Sequence, residues 1–185
     1  MVYNYWNQPQ YHKIYCNFPS LDNVKLQVVD LNSKSRPIAI MINNHKTAQP
    51  LQAGLNDAYI VYEMVTEGGI TRLLALFKDK NTSQIGTVRS SRHYYLDYAL
   101  ENDAIYVHYG WSPKAQEDIS TLKINNINGL KDAPFWRDTT LDVPTEHTVY
   151  TSMEKLNNTI KLINFLLTFC QKKYIIYITL FCRWE

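Results

Sequence analysis

The chain has 185 residues, of which 45% are hydrophobic and 19% charged, so it carries enough apolar material for one folded domain and a tail. A net charge of +2 gives no strong overall field, which argues against general attraction to nucleic acid and confines any anion binding to a local site. The three cysteines form no CxxC pair and none has a histidine at ligand spacing, so the sequence predicts neither a metal site nor a cofactor.

The first 35 residues mix aromatic, Asn, Gln and Pro residues without a clear period. They predict an irregular leader with at most a short strand at Val24–Val29. No basic start followed by an apolar run is present, so we expect no signal peptide. Ile14 and Tyr15 precede Cys16, and these are not the small residues of a lipoprotein cleavage site.

Four apolar runs predict the strands of a central mixed β-sheet flanked by helices, in a single α/β domain with a mixed α+β arrangement as the alternative. The runs are Ile38–Ile42, Ile60–Met64, Leu73–Phe77 and Ile105–His108. Gly68 and Gly69 predict a tight hairpin between the second and third runs. The leucines of the third run also suit a helix, which is the competing interpretation there.

Three helices are predicted from capping residues and apolar spacing. The first is expected near Arg92–Leu100, with Ser90 or Ser91 as its N-cap, and the second near Pro113–Leu122. The residues Thr151–Glu154 have the spacing of a capping box and predict the start of a third helix.

The remaining segments are expected to be short or irregular. Ile85–Val88 predicts a short strand that leads into Arg89, Asn125–Leu130 predicts a polar turn, and Asp132–Thr140 predicts an ordered loop. The last residues form two apolar blocks separated by two lysines, each of which would cost about 2.5–3.5 kcal/mol in a membrane span. A transmembrane helix is therefore disfavoured.

Polar residues at the ends of the predicted strands indicate a candidate anion site. Asn43 and Asn44 follow a buried strand, a common place for ligand contacts, although a simple asparagine turn fits the sequence equally well. Arg72 lies just after the hairpin, Arg89 ends a short strand and Arg92 begins a helix. Sheet pairing could bring the three guanidinium groups to one edge, where they would bind phosphate or carboxylate.

Two acids lie near the arginines in the sequence. They could pair with the arginines, or the arginines could pair with other acids on the surface. Glu63 and Glu67 bracket the hairpin turn, and we favour an ion pair between Glu63 and an arginine of the site because a carboxylate is rarely buried alone. The alternative is that the arginines only pair with surface acids such as Asp97 or Glu101.

No catalytic residue is evident, and the candidates are Glu63, Glu67 and His108. His108 lies near the end of a strand, although a lone strand histidine more often packs than reacts. Trp136 and Arg137 could stack on a ligand and clamp an anion, but an aromatic that pins a loop to the core is the more ordinary interpretation.

A series of motifs resembles the uncharacterised YerB-like family of bacterial lipoproteins. In order they are RPIAIMINNH, DAYIVYEMVTEGGITRLLALF, IGTVRSSRHYYLDYA, DAIYVHYGWSPKA, INNINGL and FWRD. The resemblance implies an N-terminal domain over residues 36–157, between the leader 1–35 and an apolar tail 158–185 that is not a domain. It also implies a protein held on the extracytoplasmic face of the cell membrane by an N-terminal lipid, with a second domain and no established activity. Because the sequence has no lipobox and an atypical tail, we expect a truncated or frame-disrupted reading frame.

Two functions remain open. The first is an envelope-associated binding or scaffold module whose arginines hold an anionic envelope ligand or a protein partner. The alternative is an enzyme that acts on a phosphorylated or pyrophosphate-linked cell-envelope substrate, with a glutamate as base. We favour binding because no nucleophile and base pair is evident.

Overall fold

The computed structural model describes residues 13–15, 30, 32–131 and 134–164. Within these residues the strands are β1 (Lys13–Tyr15), β2 (Ile38–Asn43), β3 (Ile60–Val65), β4 (Thr71–Phe77), β5 (Ile85–Gly86), β6 (Ile105–His108), β7 (Asn126–Asn128), β8 (Phe135–Arg137) and β9 (Val149–Thr151). The helices are α1 (Leu96–Glu101), α2 (Pro113–Thr121) and α3 over residues 153–164. None of these helices is long and apolar enough to cross a membrane.

The main sheet is mixed and has the strand order β1-β3-β4-β2-β6-β7. β4 pairs antiparallel with both β2 and β3, whereas β6 pairs parallel with both β2 and β7. All six residues of β2 are buried, as expected for an apolar strand in the middle of a sheet that is covered on both faces. The predicted α/β fold with a central mixed sheet is therefore confirmed.

Side chains that alternate along β2 fill two separate cores. Ile38, Ile40 and Ile42 pack against residues of the second sheet, which has the order β5-β9-β8, and against α3. Ala39 and Met41 face the opposite side and pack against α1 and α2. The main sheet is thus the middle layer of the fold.

The four predicted strands and the hairpin are confirmed, and the helical alternative for Leu73–Phe77 is wrong. β3 and β4 pair antiparallel across a turn at Glu67–Gly69, where Gly68 has a φ of 70° that favours glycine. The predicted second helix is also confirmed, and the Ser112 side chain caps it by accepting a hydrogen bond from the N–H of Ala115.

The first predicted helix is shorter than expected and is capped differently. A 3₁₀ turn at His93–Tyr95 precedes α1, and no side chain caps either of them. Ser91 is buried, and its hydroxyl instead accepts a hydrogen bond from Tyr106 at 2.8 Å. Serine is a good capping residue, but the Ser91 hydroxyl is engaged in a tertiary hydrogen bond instead of capping the helix.

Two segments predicted to be irregular form strands. Asn126–Asn128 lies in β7 rather than in a turn, and Phe135–Arg137 lies in β8 rather than in a loop. Both are three residues long, and the neighbouring strands β6 and β9 supply the pairing. Such short strands depend on long-range partners, so local composition does not reveal them.

The third helix begins one residue later than predicted. Thr151 is the last residue of β9, and Ser152 is the N-cap, because its hydroxyl accepts a hydrogen bond from the N–H of Lys155. The expected strand at Val24–Val29 and most of the tail 158–185 lie outside the described residues, but residues 158–164 continue the helix.

Candidate functional site

The segment 87–92 lies where the carboxyl ends of the parallel strands β2 and β6 meet, and it runs between these two strands. These two strands pair only as far as Ile40 and Val107. Beyond that point the Arg89 N–H donates to the Met41 carbonyl at 2.9 Å, and the Tyr109 N–H donates to the Arg89 carbonyl at 3.0 Å. The carboxyl ends of parallel strands are the usual place for ligands in open α/β sheets where neighbouring strands separate.

Arg72 supports this segment from inside. It lies opposite Asn43 in the pairing of β4 with β2, and it is only 7% exposed. Its Nη1 donates to the Ser90 carbonyl at 2.5 Å and to the Ser90 hydroxyl at 3.2 Å. Because Ser90 lies between Arg89 and Arg92 in the chain, Arg72 fixes the turn that positions both.

Arg92 forms a two-pronged ion pair with Glu67. Its Nε lies 2.5 Å from Glu67 Oε1, and its Nη2 lies 2.9 Å from Oε2. The hydrogen bonding from Arg92 lowers the pKa of the Glu67 carboxyl to about 2. The arginine side chain is 16% exposed and the glutamate 67%, so the carboxylate covers the guanidinium from the solvent side.

Arg89 has a similar cover from a different loop. Its Nη2 lies 3.2 Å from Oε1 of Glu146, in the 3₁₀ turn Thr145–His147. The Arg89 side chain is 27% exposed and that of Glu146 is 54% exposed. Here too an accessible carboxylate forms an ion pair with a more buried guanidinium.

The three arginines lie in one region of the molecule. The pKa of Arg72 is lowered to about 10, mainly by burial and then by the positive charges of Arg92 and Arg89. Arg72 and Arg92 also share a contact, since their Nη1 atoms lie 3.2 Å and 3.3 Å from the Ser90 hydroxyl oxygen, and Arg89 adjoins Ser90 in the chain. We refer to Arg72, Arg89 and Arg92 as the arginine cluster, whose role in anion binding remains a prediction.

Asn43 connects the arginine cluster to two histidines. Its Oδ1 accepts a hydrogen bond from the His45 N–H at 3.1 Å, and its Nδ2 lies 2.7 Å from Nδ1 of His147. The rings of His45 and His147 stack with centroids 5.0 Å apart. Burial, followed by His45 and Arg89, lowers the pKa of His147, which opposes the raising effect of Glu146.

Asn44 and Glu63 form a separate polar network beside the hairpin. Asn44 donates from Nδ2 to Glu63 at 3.1 Å and to the Thr71 hydroxyl at 2.8 Å. Thr71 in turn donates to Glu63 at 2.7 Å. Within the described residues no arginine forms an ion pair with Glu63, so the expected pairing is wrong for Glu63 and the arginine partner is Glu67.

His108 is fully buried and has structural contacts. Its Nδ1 lies 2.7 Å from the Gly110 carbonyl and its Nε2 lies 3.2 Å from Oδ1 of Asn126. The ring also packs between Tyr106 and Trp111. These contacts fit a packing role better than the catalytic role that its position in the strand allowed.

Trp136 and Arg137 make contacts that do not involve the arginine cluster. The Trp136 ring stacks on Tyr150, and the Lys155 ammonium lies 5.8 Å from its centre. The Arg137 guanidinium lies 5.0 Å from the centre of the Tyr109 ring and donates to the carbonyl of Thr145. These contacts pin the loop, and a ligand role for either residue stays a prediction.

The sequence did not single out Ser90 as a contact of the arginines, nor Glu146 and His147. Glu146 and His147 lie in a short turn after Pro144 without a recognisable motif. The only available signal is their position just before the buried strand β9. Contact between Asn43 and His147 spans 104 positions, which no local pattern could indicate.

A metal-binding cluster or a cavity would be the other candidate sites among the described residues. No group of three or more His, Cys, Asp or Glu residues there could hold a metal ion. A cavity of about 360 Å³ lies at the opposite edge, where the amino ends of β2 and β6 meet α3. Its lining includes Ile38, Ile105 and Ile160, and it contains no member of the arginine cluster.

Comparison with known proteins places the chain in a family. The model for the N-terminal domain of a protein family of unknown function, DUF3048, matches residues 26–165. Putative lipoprotein YerB of Bacillus subtilis (strain 168) is 40% identical over 124 residues, which are 66% of this chain and 37% of that protein. The crystal structure of the YerB protein from Bacillus subtilis matches with a TM-score of 0.66 at 34% identity, over 76% of this chain and 50% of that chain. This chain thus spans half or less of its relatives' length and belongs to the DUF3048 family, whose N-terminal domain it contains.

Proposed function

We propose that the chain is an envelope-associated binding module that holds an anionic ligand at the arginine cluster. The observation that carries this proposal is the grouping of the three arginines around Ser90, on the segment that runs between β2 and β6 where these strands separate. Like charges repel one another, so such a group is costly unless an anion compensates it. Two accessible carboxylates, Glu67 and Glu146, compensate part of this charge through ion pairs to Arg92 and Arg89.

Binding fits these contacts better than catalysis. A general base needs a carboxylate that can accept a proton near neutral pH. Hydrogen bonding from Arg92 lowers the pKa of Glu67 to about 2, and the Glu63 carboxylate is engaged by hydrogen bonds from Asn44 and Thr71. Neither acid is arranged as a base, so the enzymatic alternative has less support.

The location is proposed from the relatives. The Bacillus subtilis relative is named a putative lipoprotein, which supports anchoring at the extracytoplasmic face of the cell membrane. The anionic ligand proposed for that location is one that carries a phosphate or pyrophosphate group. A protein partner with an acidic surface would satisfy the same arginines.

Isothermal titration calorimetry with pyrophosphate tests the proposal. Arg89→Ala should weaken binding roughly ten- to a hundredfold, because a hydrogen bond to a charged group contributes about 1.5–3 kcal/mol. The fold should survive, since an exposed ion pair contributes at most about 1 kcal/mol. Arg36→Ala is the matched control, because Arg36 pairs with Asp103 at 2.8 Å at the amino ends of β2 and β6.

The opposite result would assign the arginines a structural role. Equal affinity in wild type and Arg89→Ala, or reduced stability without an effect on pyrophosphate, would end the proposal. Equal weakening by Arg36→Ala would show only a nonspecific effect of net charge.

A further inference from the structure

The turn Thr145–His147 presents an imidazole N–H beside the arginine cluster. Asn43 Oδ1 accepts the backbone N–H of His45, and this fixes the orientation of the Asn43 amide. Its Nδ2 must therefore donate to Nδ1 of His147, at 2.7 Å. The neutral His147 ring consequently carries its proton on Nε2.

One carboxylate oxygen lies in front of two donors. Oε1 of Glu146 is 3.2 Å from Nη2 of Arg89 and 3.5 Å from Nε2 of His147. The second distance is longer than an ordinary N–H···O hydrogen bond, so the carboxylate serves the histidine poorly. The His147 side chain is only 4% exposed, and an N–H in that environment benefits from a better acceptor.

The Glu146 contact can open without disturbing the core. Its side chain is 54% exposed, and the short 3₁₀ turn that carries it lies outside the strands and α-helices. An ion pair of this exposure is weak, so water or a competing anion can replace it.

We propose that Arg89 and His147 form a subsite for one oxyanion group of the ligand, phosphate or carboxylate, and that Glu146 occupies this subsite until the ligand displaces it. This inference rests on the proposed function and adds the second donor and the internal competitor. Within the part of the chain that the structure describes, the titratable and charged groups that act on His147 are Glu146, His45 and Arg89. With the pKa of His147 lowered, the ring donates a hydrogen bond at neutral pH without adding charge.

The test compares pyrophosphate affinities of three variants by calorimetry. Glu146→Gln should tighten binding roughly two- to fivefold, because it removes the competing charge of a weak ion pair. Asp103→Asn is its control, since it removes one exposed negative charge at the opposite edge, where asparagine tolerates the φ of 47°. His147→Asn should weaken binding about tenfold, because it keeps an acceptor for Asn43 but lacks the Nε2 donor.

The outcomes separate this inference from the proposed function. If Arg89→Ala weakens binding but Glu146→Gln behaves like Asp103→Asn, the subsite is wrong and the anion site stands. If none of the variants or the wild type binds pyrophosphate, both fall. In the wild type, pyrophosphate should also raise the pH at which the His147 carbon-bound ring protons titrate in NMR spectra. An unchanged titration would overturn the subsite, and repeating it with acetate distinguishes carboxylate from phosphate.

Discussion

Arg72 is a charged side chain that the fold keeps almost fully buried. Its Nη1 donates to the Ser90 carbonyl, and its own carbonyl accepts a hydrogen bond from the Tyr95 hydroxyl at 2.8 Å. Burial lowers its pKa to about 10, so it remains charged at neutral pH. A buried charge is tolerated only when such partners are present. Arg72 therefore organises the cluster in addition to contributing charge.

Replacing Arg72 with Met should lower the free energy of unfolding by about 1.5–3 kcal/mol, because the Ser90 carbonyl loses a charged donor. Urea denaturation at pH 7 measures this change. Arg36→Met, at a side chain that is 39% exposed, should cost about 1 kcal/mol or less. Equal losses in the two variants would show that Arg72 does not hold the segment.

The pair of Glu67 with Arg92 should make stability depend on pH at the acid end. The pKa of Glu67 falls from 4.5 to about 2 on folding. A lowered carboxyl pKa stabilises the fold above pH 4.5, and this contribution is lost as the pH falls toward 2. Urea titrations should therefore show wild type more stable than Glu67→Gln at pH 6, with the gap narrowing between those two values. A gap that is the same at pH 6 and pH 2.5 would contradict the pairing.

At the scale of elements, the position of Arg89 depends on how closely β5 packs against β9. A Cβ at Gly86 would lie 2.6 Å from a Tyr150 ring carbon and 2.8 Å from the Val149 carbonyl. Two residues later, the Val88 N–H donates to that same carbonyl at 2.7 Å. The close approach of β5 to β9 thus sets the path by which the chain reaches Arg89.

Gly86→Ala should destabilise the protein by about 1–3 kcal/mol through overpacking. It should also weaken pyrophosphate binding, because Arg89 would move. Gln84→Ala, at an exposed position in the loop just before β5, should change stability by about 0.5 kcal/mol or less. Thermal unfolding of both variants measures the difference, and an unperturbed Gly86→Ala would refute the packing argument.

The sequence predicted the elements whose information is local. The run Ile38–Ile42 is apolar over its whole length, and Ser112 followed by Pro113 marks a helix start directly. β7 and β8 were missed because three residues carry too little pattern and their pairing partners are remote. Ser91 was misread as a cap because its hydroxyl bonds to Tyr106 on another element.

At the scale of the whole molecule, the sequence could group the three arginines because they lie within 20 positions of one another and at the ends of predicted strands or helices. The sequence could not place the turn that carries Glu146 and His147 beside the arginines, because only the pairing within the second sheet brings that turn there. Local chemistry thus identified the positive half of the site, and the tertiary fold supplied the covering carboxylate and the histidine.

Residues beyond the predicted end of the domain contribute to its core. Leu156 is fully buried, and Ile160 packs against the same core beyond the predicted boundary at residue 157. A chain that ends after residue 164 should therefore keep its midpoint of thermal unfolding. One that ends after residue 157 should lose several degrees, since burial of an isoleucine contributes about 1.5–3 kcal/mol. Equal midpoints would place the boundary at 157 as the sequence predicted.

Anion binding at the arginine cluster can be observed directly at the guanidinium groups. The measurement is an NMR titration of the arginine Nε–Hε resonances with pyrophosphate. We expect saturable shifts of Arg89 and Arg92 that follow one binding curve, with Arg36 unchanged. Shifts of similar size at Arg36, or no shift at Arg89 and Arg92, would contradict it.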